Sequence, residues 1–288
     1  MKRGFLLGGG LIFLGLVLQI CVGPVVWDAL AWPVNGMVLA GFLLLIAIIY
    51  LLRKKVAAFR FVGTYQAAIP ALVYVVVLTI VMGLIRQNPE GHWLDNMLAF
   101  WPFVLVYVLM ALILGQVVIR QFVTVISHFS LITSHLSFLS HLGLFLAMTT
   151  ATLGNADMQR LKMVTMLGEQ EWRAVTPYGA IQEMPMTIEL KRFIMETYDD
   201  GSPKRFASDI LIRMKDDKQI LTTVDVNKPV EVDGWKIYQY SYDTQLGEKS
   251  EISILELVSD PWLPLVYTGI YMLLAGAVSM FVFGGKRK

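Results

Sequence analysis

Residues 125–154 read VISHFSLITSHLSFLSHLGLFLAMTTATLG and contain three of the four histidines of the chain. From Ser137 to Leu153 the stretch is apolar except for small hydroxyl residues and one imidazole. A helix rises about 1.5 Å per residue and needs about 20 such residues to cross a bilayer. The stretch therefore predicts a membrane span. Because an ionisable side chain inside a span indicates a functional site by default, His141 is the first candidate site residue.

The composition predicts an integral membrane protein with one polar insertion. The 288 residues are 56% hydrophobic and 16% charged, with a mean hydropathy of +0.61. Residues 154–260 hold 13 basic and 19 acidic residues, a net charge of −6, whereas the remainder holds 11 basic and 3 acidic residues, a net charge of +8. An acidic unit is thus set into a basic-flanked membrane domain, so we expect the lipid bilayer, and no nucleic acid, as a partner.

Six apolar runs predict a polytopic α-helical membrane protein with an inserted domain. The predicted spans are about 4–22, 36–52, 67–85, 97–119, 130–153 and 262–283. The first run resembles a signal peptide, but it is long and no small-residue cleavage pattern follows it, so we interpret it as an uncleaved span. The predicted organisation is a five-span membrane domain over 1–153, an extracytoplasmic domain over 154–260, and a sixth span with a basic tail over 261–288.

Basic residues near the span ends predict the orientation. With the N-terminus in the cytoplasm, ten of the eleven basic residues of the membrane part lie inside and only Arg86 lies outside. Lysine and arginine are enriched in cytoplasmic loops. We therefore expect both termini in the cytoplasm, residues 154–260 on the outer, periplasmic side, and the inner (cytoplasmic) membrane of the cell as the location.

The inserted segment carries the signals of a mostly antiparallel β domain. From Met186 onward, segments rich in β-branched and aromatic residues alternate with a period of two. Turn signals separate them at 199–203, 216–218 and Asp233-Gly234, the last being a hairpin signal. The segment has no histidine, no glycine-rich phosphate loop and no basic patch. We expect this domain to bind or position something rather than to react with it.

The histidine spacing limits what this span can do. His128 and His135 are seven residues apart and share a helix face within about 20°, whereas His141 is rotated from His135 by about 120°. One helix cannot bring all three to a single ion. The single cysteine excludes a cysteine zinc cluster, and the predicted spans contain no carboxylate. A lone imidazole can still supply one axial nitrogen to a haem iron, with the second ligand coming from elsewhere.

Two alternatives to a ligand role stay open. His141 can instead hydrogen-bond across a helix interface, where Ser137, Ser140 and Thr150 offer oxygen partners. His92 lies beside Trp93 in the loop GHWLDN. It is either an ordinary polar residue of the surface or a group that contacts a ligand leaving the membrane.

Part of the chain resembles the extracytoplasmic domain of the ResB family. The stretch FASDILI…VDVNKPVEVDGWKIYQYSY (206–242) shows a phenylalanine-led strand, a VN-x-P segment at Val226–Pro229, and a G-x-x-x-Y-Q-x-S-Y strand at Gly234–Tyr242. The exit SDPWLPLVYTGIYMLLAG (259–276) and the span FLSHLGLFLAMTTATLG (138–154) are similar to the segments that flank this domain in the family. The resemblance covers roughly residues 134–283.

The resemblance implies a role in cytochrome c maturation of the kind called System II. It implies a subunit that pairs with a CcsA/ResC-type membrane protein and handles haem b in transit for attachment to apocytochrome c. By motif position His141 would be the axial haem ligand, with His135 and His128 as alternatives and His92 as an outer-face group. Such a subunit is not a complete enzyme and is non-catalytic or part-catalytic.

The chain departs from the family plan of four spans and a long soluble domain. Its two additional N-terminal spans have no obvious counterpart. The rival interpretation is a membrane-anchored scaffold whose β domain organises envelope proteins without binding haem. A scaffold should tolerate His141→Asn, which keeps the polarity, whereas a haem ligand should not.

Overall fold

The computed structural model describes residues 1–88, 91–127 and 132–284, with the side chains of 132–135 and 284 excepted. The chain divides into two compact units. The membrane unit comprises Met1–Asp157 and Trp262–Lys288, and the sheet unit comprises Met158–Pro261.

Seven helices make up the described part of the membrane unit. They are α1 (Lys2–Val22), α2 (Val34–Leu52), α3 (Ala57–Val62), α4 (Tyr65–Leu84), α5 (Trp101–Ser127), α6 (Ile132–Gly154) and α7 (Leu263–Gly284). All except the short α3 are long and apolar enough to cross a membrane. The prediction of a six-span, multi-pass protein is confirmed.

The fourth span differs in its bounds from the predicted 97–119. A 3₁₀ turn at Leu94–Ala99 precedes α5, and Asn96 within it has non-helical φ and ψ angles of −130° and 68°. Pro102 then occupies the first turn of α5, where its missing N–H leaves no helical bond unmade. The helix continues past the expected end to Ser127, and in this extension Arg120 and Thr124 donate side-chain hydrogen bonds to carbonyls one turn earlier.

Buried amides join the additional N-terminal helices to the rest of the membrane unit. Gln116 of α5 donates its Nε2 to the carbonyl of Ile46 on α2 over 2.8 Å. Gln19 of α1 accepts from the backbone N–H of Trp101 over 3.1 Å and donates to the carbonyl of His92. Interhelical hydrogen bonds of this kind stabilise contacts where lipid offers no partner. The first two spans are therefore packed parts of this unit.

The sheet unit is one eight-stranded sheet. Its strands are β1 (Gln159–Met166), β2 (Gln170–Val175), β3 (Ile181–Thr197), β4 (Pro203–Met214), β5 (Gln219–Asp225), β6 (Val230–Val232), β7 (Trp235–Tyr242) and β8 (Ile252–Ser259). The strand order is β5-β4-β3-β2-β1-β8-β7-β6, and all neighbouring pairs are antiparallel. The predicted antiparallel β architecture is confirmed.

The predicted turns fall between the strands that they were expected to separate. Asp233 and Gly234 both have positive φ, 49° and 76°, as a two-residue type I′ hairpin requires. Strand β6 pairs with β7 across this turn, as the hairpin signal predicts. Strands β1 and β2 lie outside the predicted segments, which begin at Met186.

One apolar core holds the sheet unit together. Inward-facing side chains of the strands alternate with exposed ones, as in β1, where Leu161 and Met163 are buried and Lys162 and Val164 are not. Ile188, Ile210 and Leu255 are fully buried in this cluster. Full burial of one such apolar side chain contributes roughly 1.5–3 kcal/mol to the stability of the folded state.

Truncation of this core should be costly. We expect Ile188→Ala to lower the free energy of unfolding of the sheet unit by about 2–5 kcal/mol, because the lost methyl groups leave a cavity. Urea titration of the full chain, followed by tryptophan fluorescence, measures the change. The matched control is Leu221→Ala on β5, whose side chain is 71% exposed and should change stability by less than about 0.5 kcal/mol. Equal effects of the two substitutions would contradict this placement of the core.

Candidate functional site

His141 lies within α6, roughly 20 Å before the end of that helix at ~1.5 Å per residue. Its side chain is half-buried. The ring nitrogen Nδ1 lies 2.7 Å from the backbone carbonyl oxygen of Ser137 and 3.5 Å from the hydroxyl oxygen of the same residue. The imidazole is thus oriented by its own helix, one turn earlier, and not by the interhelical bond that one interpretation of the sequence expected.

The carbonyl contact decides which ring nitrogen carries the proton. A carbonyl oxygen only accepts hydrogen bonds, so Nδ1 must donate. In the neutral imidazole the lone pair then lies on Nε2. Metal-ligating histidines commonly donate their other ring N–H to a backbone carbonyl in this way, which fixes the tautomer and the ring orientation. No hydrogen bond to Nε2 is found within the described residues.

A polar link between α5 and α6 supports the same turn of helix. Gln121 of α5 donates its Nε2 to the hydroxyl oxygen of Ser137 over 2.8 Å. The Oε1 atom of Gln121 is buried and has no hydrogen-bond partner among the residues that the structure describes. An unpaired buried polar atom is costly, so polar groups are retained here among apolar helices, next to the serine that contacts His141.

An apolar groove runs beside this turn. Its volume is about 300 Å³, and its lining includes Ile46, Gly115, Phe122, Phe138, Leu142 and Phe145. Phe122 and Phe138 are in ring contact at 5.8 Å between centroids. His141 is three residues after Phe138 and four before Phe145, a spacing that places all three on one side of α6. The groove lining does not include His141, whose position around α6 is within about 60° of that of Phe138 at ~100° per residue.

This arrangement suits one axial ligand of a flat apolar group, and it does not form a closed metal cage. Among the described residues, no group of three or more His, Cys, Asp or Glu side chains could hold a metal ion. Cys21 is free and exposed at the end of α1.

The other candidate histidines are not brought to His141 by any described contact. His92 is exposed, and its backbone carbonyl is held by Gln19. His135 is in the first turn of α6, where side chains are not described, and His128 lies outside the described residues. Their roles as alternative ligands therefore stay predictions.

Of the Tyr-Gln-x-Ser-Tyr residues in the sheet unit, Gln239 is buried, and Tyr238, Ser241 and Tyr242 are half-buried. Gln239 donates its Nε2 to the hydroxyl oxygen of Ser253 over 3.0 Å, and Ser208 bonds to the same hydroxyl over 2.7 Å. The ring of Tyr242 packs against Phe206 at 5.0 Å. The Tyr-Gln-x-Ser-Tyr pattern thus encodes a satisfied buried network and an aromatic contact.

Sequence reasoning missed one cluster, which lies just past the end of α6. The carboxylate of Asp157 accepts hydrogen bonds from the Trp32 backbone N–H over 2.6 Å, from Asn35 Nδ2 over 2.7 Å and from Trp262 Nε1 over 2.6 Å. We call these four residues the Asp157 clasp. It joins the end of α6 to the starts of α2 and α7. The only signal in the sequence is a carboxylate directly after a span.

Burial raises the pKa of Asp157, but the three hydrogen bonds outweigh it, so the pKa lies below the ordinary aspartate value. The carboxylate is therefore ionised at neutral pH.

Comparison with known proteins finds a family model that matches part of this chain. The model of the ResB-like family matches residues 118–250. This match begins earlier than the resemblance expected from the sequence, and it stops before β8 and α7. No curated protein matches the chain.

Among solved structures, one that matches is the cytochrome c heme lyase CcmF, at 14% sequence identity and a TM-score of 0.38. The alignment covers 85% of this chain and 44% of that one, so the chain spans less than half the length of that structure. The resemblance predicted from the sequence is confirmed by the family match: the segment from residue 118 to residue 250, which contains α6 and β1 to β7, is ResB-like.

Proposed function

We propose that this chain acts in cytochrome c maturation as a ResB-like subunit that handles haem for attachment to apocytochrome c. The observation that carries the proposal is the state of His141. Its Nδ1–H is donated to the Ser137 carbonyl, which leaves the Nε2 lone pair for a ligand, and the aromatic groove lies on a neighbouring side of the same helix. The family match over residues 118–250 supports the same conclusion.

In this proposal haem b is cargo, and His141 is one of its axial ligands. The groove lined by Phe138 and Phe145 offers apolar surface to the macrocycle, and Ser137 holds the imidazole in the ligating tautomer. His135 and His128 are the alternatives to His141 as this ligand, and the second ligand comes from a partner protein or a second helix. His92 remains a candidate on the side of the membrane where haem is released.

The partner that we propose is a separate CcsA/ResC-type membrane protein, because the tryptophan-rich motif of such proteins is absent from this sequence. The asymmetry of basic residues supports a cytoplasmic position for both termini and a periplasmic position for residues 154–260 in the inner membrane. The acidic segment 154–260 would then face apocytochrome c. Five spans precede this segment in the chain, and one follows it.

The test is the visible absorption spectrum of the protein purified from membranes after expression with its CcsA-type partner. We expect a Soret band in the wild type that is lost in His141→Ala and in His141→Asn, since asparagine keeps polarity but offers no imidazole nitrogen. His92→Ala is the matched control and should keep the band. Loss in His135→Ala or His128→Ala instead would move the ligand to that residue.

The scaffold alternative predicts a different pattern. The single N–H of His141 already donates to a carbonyl inside α6. A purely structural imidazole therefore needs no further acceptor for that N–H. A scaffold should show no Soret band in any sample and should support cytochrome c maturation equally well with His141→Asn.

A further inference from the structure

The apolar groove between α2, α5 and α6 lies at the depth of one lipid leaflet. Its lining includes Leu43 and Ile46 of α2 and Phe122 of α5. Leu43 is ten residues before Arg53, which follows the end of α2. At ~1.5 Å per residue this is roughly 15 Å, about half of the ~30 Å hydrocarbon core of a bilayer. The groove therefore extends over the depth that the acyl chains of one leaflet fill.

The groove has a buried floor and opens toward the outside of the helix bundle. Ile46 and Phe145 are 5% and 7% exposed and form the floor, whereas Leu43 and Phe122 are 46% and 48% exposed and form the rim. Among the described residues, none that lines the groove has a polar side chain. A chain of methylene groups suits this surface, because it brings no unpaired hydrogen-bonding group into the hydrocarbon layer.

Arg53 continues the side of α2 that lines the groove. It is seven residues after Ile46 and keeps helical φ and ψ angles of −57° and −25°, so the two residues lie within about 20° of each other around the helix. The guanidinium of Arg53 lies over the ring of Tyr50, with 3.6 Å between Cζ and the ring centroid, and donates to the Tyr50 carbonyl. The side chain therefore folds back along α2 toward the groove.

The basic residues at this end of α2 have no carboxylate to pair with. Lys54 and Lys55 follow Arg53 and are exposed. In the described part of the chain, none of the three takes part in an ion pair. Aspartate and glutamate are absent from the segments that form the spans and this end of the membrane unit, namely 29–89, 96–156 and 261–288. Basic groups in this position attract the headgroups of anionic lipids.

We propose that the apolar groove binds one acyl chain of an anionic phospholipid, whose phosphate lies against Arg53, Lys54 and Lys55. Basic residues beside a span also set the orientation of a membrane protein, but orientation alone requires no groove below them. The proposal does not rest on the proposed function. An acyl chain and a haem macrocycle would compete for the same apolar surface, so the lipid belongs to the haem-free chain.

The test is a lipid titration of the haem-free full chain in detergent, followed by native mass spectrometry. Phosphatidylglycerol and phosphatidylcholine with identical acyl chains are compared. We expect the wild type to bind phosphatidylglycerol at least about tenfold more tightly, because only this lipid carries a net negative charge. The triple variant Arg53→Gln, Lys54→Gln, Lys55→Gln should reduce the preference to less than about threefold.

The matched control removes the same charge elsewhere. The triple variant Lys286→Gln, Arg287→Gln, Lys288→Gln changes three basic residues of the C-terminal tail and should keep the preference of the wild type. An equal loss of preference in the two triple variants would show that unspecific attraction by positive charge suffices, and it would overturn the proposal. A wild type without preference for phosphatidylglycerol would overturn it as well.

A second pair of variants tests the groove apart from the charge. Leu43→Trp places a larger side chain at the rim and should weaken the binding of both lipids at least about fivefold, because it excludes the acyl chain. Leu44→Trp is the control, since Leu44 is 62% exposed on the same helix but does not line the groove. The thermal unfolding midpoint verifies that both variants are folded. Lipid binding that Leu43→Trp leaves unaltered would exclude the groove as the site.

The lipid proposal and the proposed function fail separately. If the lipid titrations behave as expected while no sample of the co-expressed complex shows a Soret band, the lipid site stands and haem handling falls. If the Soret band depends on His141 and the two lipids bind alike, the proposed function stands and the lipid site falls.

Discussion

Replacing Asp157 by alanine is expected to lower the stability of the membrane unit by at least about 2 kcal/mol. The substitution removes the acceptor of three hydrogen bonds, and a lost bond to a charged group costs about 1.5–3 kcal/mol before water compensates for exposed partners. Asn35 is fully buried, so its amide cannot turn to water when the carboxylate is removed. The starts of α2 and α7 then lose their common contact with the end of α6.

Thermal unfolding of the full chain in detergent measures this effect. Asp157→Asn keeps one acceptor oxygen and the shape, and its loss of stability should be smaller. Asp28→Ala is the matched control, because Asp28 is an exposed carboxylate of the same unit. The clasp would have no stabilising role if Asp157→Ala unfolded at the same temperature as Asp28→Ala.

The pH dependence of the clasp has a defined sign. Because the folded-state pKa of Asp157 is below the ordinary aspartate value, its contribution to stability is fully present above the ordinary value of about 3.9. It is lost as the pH falls through the lower, folded-state pKa. The stability difference between the wild type and Asp157→Ala should therefore be constant from neutral pH down to about pH 3.9. It should shrink only as the pH falls further, through the folded-state pKa.

The architecture could be predicted from the sequence wherever a pattern is long and uniform. The six spans are such patterns, since each is a continuous apolar run bounded by polar residues. Strand β1 was missed because its alternation is blurred on both faces. Thr165 is polar but buried, bonding to the carbonyl of Ser253, while Val164 and Met166 are apolar but exposed.

The candidate site could be predicted only in part, for a different reason. One imidazole in an apolar run is visible in the sequence, so the sequence predicts His141 as a candidate. Which of its nitrogens is free depends on a carbonyl contact, which composition does not reveal. The Asp157 clasp was missed because Asn35 and Trp262 are each more than a hundred residues from Asp157 along the chain.

A large steric effect is expected where α6 and α7 meet through glycine. A Cβ atom at Gly143 would lie 2.4 Å from the backbone nitrogen of Leu273 and 2.5 Å from the carbonyl oxygen of Gly269. A Cβ atom at Gly269 would lie 2.5 Å from the backbone nitrogen of Ala147. Backbone atoms cannot rotate away as side chains can, so the helices would have to separate. Small residues allow this close approach in membrane helix pairs.

Gly143→Ala should therefore destabilise the membrane unit by about 2–3 kcal/mol, the upper part of the range for overpacking, although alanine favours helix formation. The measurement is thermal unfolding in detergent, with the Soret band of the co-expressed complex recorded in parallel. Because Gly143 is two residues from His141 on α6, displacement of this helix should also weaken the band.

Gly41→Ala in α2 is the control, since nothing lies within 4 Å of its Cβ position. If Gly143→Ala unfolded at the same temperature as Gly41→Ala, the close α6–α7 contact would be wrong. If Gly143→Ala were destabilised but kept a full Soret band, haem binding would not depend on the position at which α6 holds His141.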